Sequence, residues 1–166
     1  DNSMAIIERY AGLDKRIRII NHDCNLGLMT ARRTGYMAAT GDYITFCDSD
    51  DELPKQAIET LLSVIGDYDI AAGTMTYIDV NGNKSEWNQA LKYGSDRSAV
   101  LQSLWKKEIG HNLCSKLFKR EILQRYDYIT YENLTNAEDG LLFYQLINNM
   151  KGGMIYIPNV VYNYYQ

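Results

Sequence analysis

Proline is nearly missing from this chain: there are two, against fourteen tyrosines. So little proline excludes a proline-rich linker and leaves few fixed breaks in helices or strands. Cysteine is scarce as well. Cys24, Cys47 and Cys114 are odd in number, widely spaced and contain no Cys-x-x-Cys pair. Neither a disulfide framework nor a zinc site is expected, and a reducing cytoplasm fits best. There is no basic excess: 17 Lys and Arg stand against 21 Asp and Glu, a net charge of −4. That argues against gripping nucleic-acid backbones and leaves room for a small anionic ligand held by a metal. No apolar run approaches the roughly 18 residues that span a bilayer, and the N-terminus lacks signal-peptide form. A cytoplasmic chain is expected, with peripheral attachment to the inner face of a membrane left open.

What is present is 46 % hydrophobic residues over 166 positions, enough for the core of a single domain spanning the whole chain. The tyrosines suit surfaces that bind sugars or partners, or else fill the core and its edges. Asn2 or Ser3 can cap a first helix with Met4, Ile7 and Ala11 on its inner face, and "RIRII" reads as a short strand. A helix follows over 28–40, with Leu28, Ala31, Tyr36 and Ala39 as inner positions, and then a buried strand over 43–47. Pro54 fits the first turn of a helix carrying Ile58, Leu61, Leu62 and Ile65 on one face. Next come a strand, "DIAAGTMTYIDV", a hairpin turn at "NGN", a helix in "DRSAVLQSLWKK", and an extended piece with a helix in "NLCSKLFKREILQRY". The helix "EDGLLFYQLINNM" ends at Gly152-Gly153, and "MIYIP" and "VVYNYY" close the chain as two strands. The alternation predicts an α/β fold with a largely parallel sheet.

"TGDYITFCDSDDELP" crowds Asp48, Asp50, Asp51 and Glu52 at the end of a strand. Alternate residues of an extended chain point the same way, so Asp48 and Asp50 can aim two carboxylates at one point. That point lies past the carboxyl edge of the sheet, where open α/β folds bind ligands. Such oxygen ligands suit Mg²⁺, Mn²⁺ or Ca²⁺. The alternative is service to the dipole of the following helix, worth about 0.3–1 kcal/mol per acid. It leaves Asp48 unexplained. An EF-hand loop is excluded, because Leu53 stands where the sharp turn needs Gly.

A second acidic spot is "LTNAEDGLLF". Thr135 and Glu138 have the spacing of a capping box, which would occupy Glu138 with closing the helix start. Asp139 is then either an ordinary acid on a first turn or a carboxylate kept charged by the helix dipole, as a general base must be.

The stretch "NLGLMTARRTGYMAATGDYITFCDSDDELP" resembles the signature of glycosyltransferase family 2. Asn25, Gly27, Ala31, Arg32, Gly35, Ala39 and Gly41 match that family's pattern, as does Asp48-Ser49-Asp50-Asp51 its Asp-x-Asp element. "NLCSKLFKREIL" resembles the segment around Asn-Lys-Leu, "AEDGLLF" the Glu-Asp motif, and "YNYY" the terminal Tyr-rich strand. Arg33 stands where Asn is usual, and Cys114-Ser115 replaces Trp-Asn. Of the family's opening strand, helix and strand, only the tail Asp1-Asn2-Ser3 has a counterpart here.

The resemblance implies a GT-A fold, with a mixed, mainly parallel sheet flanked by helices. A donor and metal part would span about 1–80 and an acceptor part about 81–166. It implies an enzyme that moves a sugar from a nucleotide-sugar donor, often a UDP-sugar, to an acceptor hydroxyl with inversion. A glycan or lipid-linked acceptor in cell-surface polysaccharide synthesis is the expected context. Asp50 would ligate a divalent metal (Mn²⁺ or Mg²⁺), with Asp48 helping the metal or the ribose, and Asn25 would lie on the donor side. Arg32 would face the donor or brace Asp48. Asp139, in the motif with Glu138, would be the base. His111 and Lys116 would reach the diphosphate or the acceptor, or else serve the surface or the core. Tyr128 and Tyr131 would stack on an acceptor sugar. A metal-dependent nucleotidyltransferase and a non-catalytic glycan-binding module of the same fold are the rivals.

Overall fold

The computed structural model describes residues 2–87, 89–129 and 137–166. Its elements in chain order are α1 (Ser3–Leu13), α2 (Leu28–Ala38), β1 (Tyr43–Thr45), α3 (Ala57–Ile65), β2 (Ile70–Ile78), β3 (Lys84–Glu86), α4 (Arg97–Trp105), β4 (Lys116–Lys119), α5 (Arg120–Gln124), α6 (Glu138–Asn149) and β5 (Met154–Tyr165). No helix among the described residues is long and apolar enough to cross a membrane.

β2 is the centre of the sheet. Its start pairs antiparallel with β4 and its end with β3, while β5 runs parallel along its other edge. β1 extends the sheet beyond β4, again antiparallel. The sheet is therefore mixed, as expected, but not mainly parallel. The long β2–β5 pairing is the one parallel ladder among the described strands, because β3 and β4 return by a hairpin and a loop-rich route rather than a single crossover helix. Along β2, period-2 alternation sends Ile70 and Ala72 to one face and Ala71 to the other. The first face, with Phe118, Met154 and Tyr162, meets α2, α4, α5 and α6 in the larger core cluster. The second face, with Leu117 and Val161, is covered by Ala57, Leu61 and Ile65 of α3. Gly73 lets β5 approach at its irregularity: a Cβ there would stand 2.7 Å from Val161 Cγ2 and 2.8 Å from the Asn159 oxygen.

Several local expectations change. "MIYIP" and "VVYNYY" form one strand, β5, whose register shift absorbs Pro158 and Asn159. The third helix begins at Ala57 rather than at Pro54, whose carbonyl instead accepts the Ala57 N–H. Leu62 of that helix is exposed. In α2 the buried stripe is Met29, Arg32 and Tyr36, one position round from the predicted one, because a buried arginine takes a core place. Residues 16–20 form no strand, since none of the described strands pairs with them. α1 buries no residue at all, so Met4 and Ile7 remain exposed.

Candidate active site

Strand β1 delivers Asp48 to the end of the sheet, and the N-terminus of α6 delivers Glu138 and Asp139 to the same place. Arg32, reaching across from α2, joins them. Its Nη2 lies 2.9 Å from Asp48 Oδ1 and its Nη1 3.5 Å from Glu138 Oε1, and Nη1 also pairs with Asp139 Oδ1. The Arg32 side chain is 7 % exposed, so its charge is held by these three carboxylates rather than by water. Of the two roles anticipated for Arg32, bracing is the one seen, and it braces Asp139 as well as Asp48. Glu138 is spent on this ion pair and is the first residue of α6, with Ala137 in the N-cap position. The capping-box expectation therefore fails on the Glu138 side, and Thr135 lies outside the described residues.

The loop before β4 closes the site from a third side. The Leu113 N–H donates to Asp139 Oδ2 at 3.4 Å, and the Cys114 thiol to Asp48 Oδ2 at 3.5 Å. Burial raises the Asp139 pKa above the usual carboxylate value, opposed in part by Arg32. Burial likewise pushes the Cys114 thiol up to about 12, so it acts as a donor and not as a thiolate.

The acidic loop divides its labour. Asp51 is structural: its Oδ2 accepts from the Tyr162 hydroxyl at 2.7 Å and its Oδ1 from the Tyr165 N–H at 3.0 Å. The same Tyr162 hydroxyl accepts from the Asp48 N–H at 3.0 Å. Glu52 pairs its backbone with Asn163 and accepts from the Tyr165 hydroxyl through its carboxylate. Asp50 is exposed and makes no hydrogen bond or ion pair within the described residues. Asp48 and Asp139 open on one cleft of ≈ 330 Å³, lined also by Tyr77, Trp87, His111, Asn112 and Tyr164. A second, apolar groove lies beside it, walled by Leu101, Leu104, Trp105, Leu141 and Tyr144, and His111 borders both.

The other predicted site residues fall away from the cleft. Asn25 holds the loop before α2, its Oδ1 accepting the Gly27 N–H at 2.9 Å, which sets Gly27 at φ 83° for the helix start. Lys116 is not at the surface: it is 1 % exposed beneath the cleft floor. Tyr128 is a core residue, 3 % exposed with its hydroxyl donating to the Ile122 carbonyl, so it offers no face to an acceptor. Tyr131 lies outside the described residues. The sequence reading missed Tyr162 and Cys114 as supports of Asp48. The alternation of "YNYY" carried a signal, since it puts Tyr162 and Tyr164 on one face of β5.

A family model described as Glycosyl transferase family 2 matches residues 1–127. The chain is 32 % identical over 155 residues to the uncharacterized glycosyltransferase EpsJ of Bacillus subtilis (strain 168), a match covering 84 % of the chain and 42 % of that protein. It is 28 % identical over 184 residues to the glycosyltransferase GlyA of Streptococcus pneumoniae, covering 99 % of the chain and 24 % of GlyA. Among solved structures, S. aureus TarS 1-349 in complex with UDP-GlcNAc superposes with a TM-score of 0.78 at 20 % identity, over 100 % of the chain and 46 % of TarS 1-349. At that identity the likeness establishes the fold, GT-A. The chain spans less than half the length of each of these relatives.

Proposed function

The chain belongs to glycosyl transferase family 2, and on that premise we propose that the cleft carries an inverting transfer of a sugar from a UDP-sugar to an acceptor hydroxyl in cell-surface polysaccharide synthesis, at the cytoplasmic side of the membrane. The observation that carries this reading is the Arg32 bridge. It fixes a carboxylate from the acidic loop and a carboxylate from the start of α6 on one cleft. TarS, the structural neighbour, was solved with UDP-GlcNAc, which favours a UDP-sugar as the donor class.

In this reading the acceptor hydroxyl attacks the anomeric carbon and passes its proton to Asp139, while the bond to the diphosphate breaks on the opposite face of the sugar. The raised pKa of Asp139 makes it a better base than a solvent-exposed aspartate, and Arg32 keeps it ionised until the proton arrives. The donor set suits a divalent cation of the Mg²⁺ or Mn²⁺ kind. Such ions ask for one or two carboxylates and take their other ligands from water and phosphate. Asp50, unpaired within the described residues, with Asp48 supplies that much. When bound, the ion would stabilise the negative charge gathering on the departing diphosphate. His111, bordering both the cleft and the apolar groove, stands where an acceptor would pass on its way to Asp139.

Calorimetric titration of UDP and of UDP-GlcNAc, with and without Mn²⁺, tests the reading. Metal-dependent binding that disappears in Asp50→Ala is expected. Failure of either nucleotide to bind with metal present overturns it.

A further inference from the structure

Lys116 is a buried cation that the transfer chemistry does not use. Its Nζ donates to the Asn112 carbonyl, lies 3.4 Å from Asn112 Oδ1 and sits 4.8 Å from the centroid of the Phe143 ring on α6. None of these partners is a carboxylate. A leucine or methionine would fill the same space without the cost of taking an ammonium out of water. Filling space is therefore a poor explanation for lysine here.

The turn that wraps this ammonium is the one that reaches the site. Asn112 Nδ2 donates to the Cys114 carbonyl at 2.6 Å and approaches Ser115 Oγ at 3.3 Å, and Ser115 adopts φ 60°. A non-glycine residue in that region persists only where its surroundings hold it. Between these two anchors stand the Leu113 N–H, donated to Asp139, and the Cys114 thiol, donated to Asp48.

We propose that Lys116 is a positioning residue for the Asp48–Asp139 pair: its Nζ, seated between the Asn112 carbonyl and the Phe143 ring, holds the 112–115 turn in the form that presents Leu113 to Asp139 and Cys114 to Asp48. Loss of that hold loosens both carboxylates at once. The titratable groups that face it are Cys114 on its own loop and Asp139 on α6. Burial brings its pKa down to about 7, so the closed turn favours the neutral amine, still a donor to the Asn112 carbonyl, and an opened turn favours the ammonium. The consequence for turnover rests on the proposed transferase reading; the hold on the turn does not.

Amide hydrogen exchange of the chain separates the two. In the unmodified chain, protection of Leu113, corrected for intrinsic rates, is expected to rise about tenfold between pH 6 and pH 8.5, because opening the turn returns Lys116 to water, where it takes up a proton that the closed turn disfavours. Amides of β2 should keep theirs. In Lys116→Met, protection of the turn should be low at both pH values. Equal protection at both pH values in the unmodified chain, or full protection in Lys116→Met, overturns the proposal. The unmodified chain decides the question even if the variant fails to fold. UDP titration on the same samples reads the transferase proposal independently, since absent UDP binding with the expected exchange pattern sinks that proposal and leaves this one standing.

Discussion

α1 and α6 are both amphipathic in sequence, and the structure treats them in opposite ways. α6 buries Leu142, Phe143, Leu146 and Ile147 against the sheet and carries Asp139 on its first turn. α1 buries nothing, and Ile6, Ile7, Tyr10 and Leu13 face outward. An apolar stripe records only that a helix can be buried; burial also needs a facing surface. α6 has one in β2, β4 and β5, whereas the described residues offer none to α1. Arg32, 7 % exposed, ties the first turn of this buried helix to Asp48, so the packing of α6 also fixes the geometry of the charge network.

This contrast can be broken or sharpened by substitution. The largest effect is expected at the site: Asp139→Asn should lower turnover by about 10²–10⁴-fold while leaving UDP binding intact, measured as sugar transfer and by calorimetry. A matching loss of UDP binding would show that Asp139 belongs to the donor rather than to the acceptor hydroxyl. Next, Phe143→Ala in α6 should cost about 3–5 kcal/mol in urea unfolding, since its ring is fully buried. Arg32→Met should cost about 3 kcal/mol, because it leaves three half-buried carboxylates crowded together without their cation. It should also move the acid limb of any pH–rate profile upward, since it removes the group that opposes burial at Asp139. Lys116 has its folded pKa lowered from 10.5 to about 7, so the unfolded chain binds the extra proton between those values. Its contribution makes stability rise from pH 7 toward 10.5, and Lys116→Met should flatten that rise in denaturation curves taken across the range. Smallest of all, Leu13→Ser in α1 should change stability by under about 0.5 kcal/mol, its side chain being 76 % exposed. A larger loss there would mean that α1 is packed in solution.

What could be read in advance divides along the same line. The strand "DIAAGTMTYIDV", the hairpin at "NGN" and the helix "EDGLLFYQLINNM" have periodicity strong enough to stand alone, and they appear as β2, its turn and α6. Asp48 and Asp139 could be singled out because a dipole or cap explained their neighbours but not them. What escaped were features in which a side chain defies its class. Arg32 sits in the core stripe of α2, which shifts that stripe by one position. Asp51 and Glu52, counted as possible metal or dipole acids, instead anchor β5 through Tyr162, Asn163 and Tyr165. Tyr128, expected to meet a sugar, meets the Ile122 carbonyl. Each depends on a partner far away in sequence, and no local pattern announces such a partner. The parallel character of the sheet was overestimated for a related reason: alternating strands and helices do not say whether a strand returns by a crossover or by a hairpin.

The Tyr162 hydroxyl, held between the Asp48 N–H and the Asp51 carboxylate, also sets an order of events. A ribosome makes the acidic loop well before β5. The contacts that shape the loop span 111 to 114 positions, so the loop has no fixed form until β5 has emerged. Distant pairings of this kind make folding slow. A nascent polypeptide stalled before β5 would therefore carry every candidate catalytic residue without yet having a place to use them.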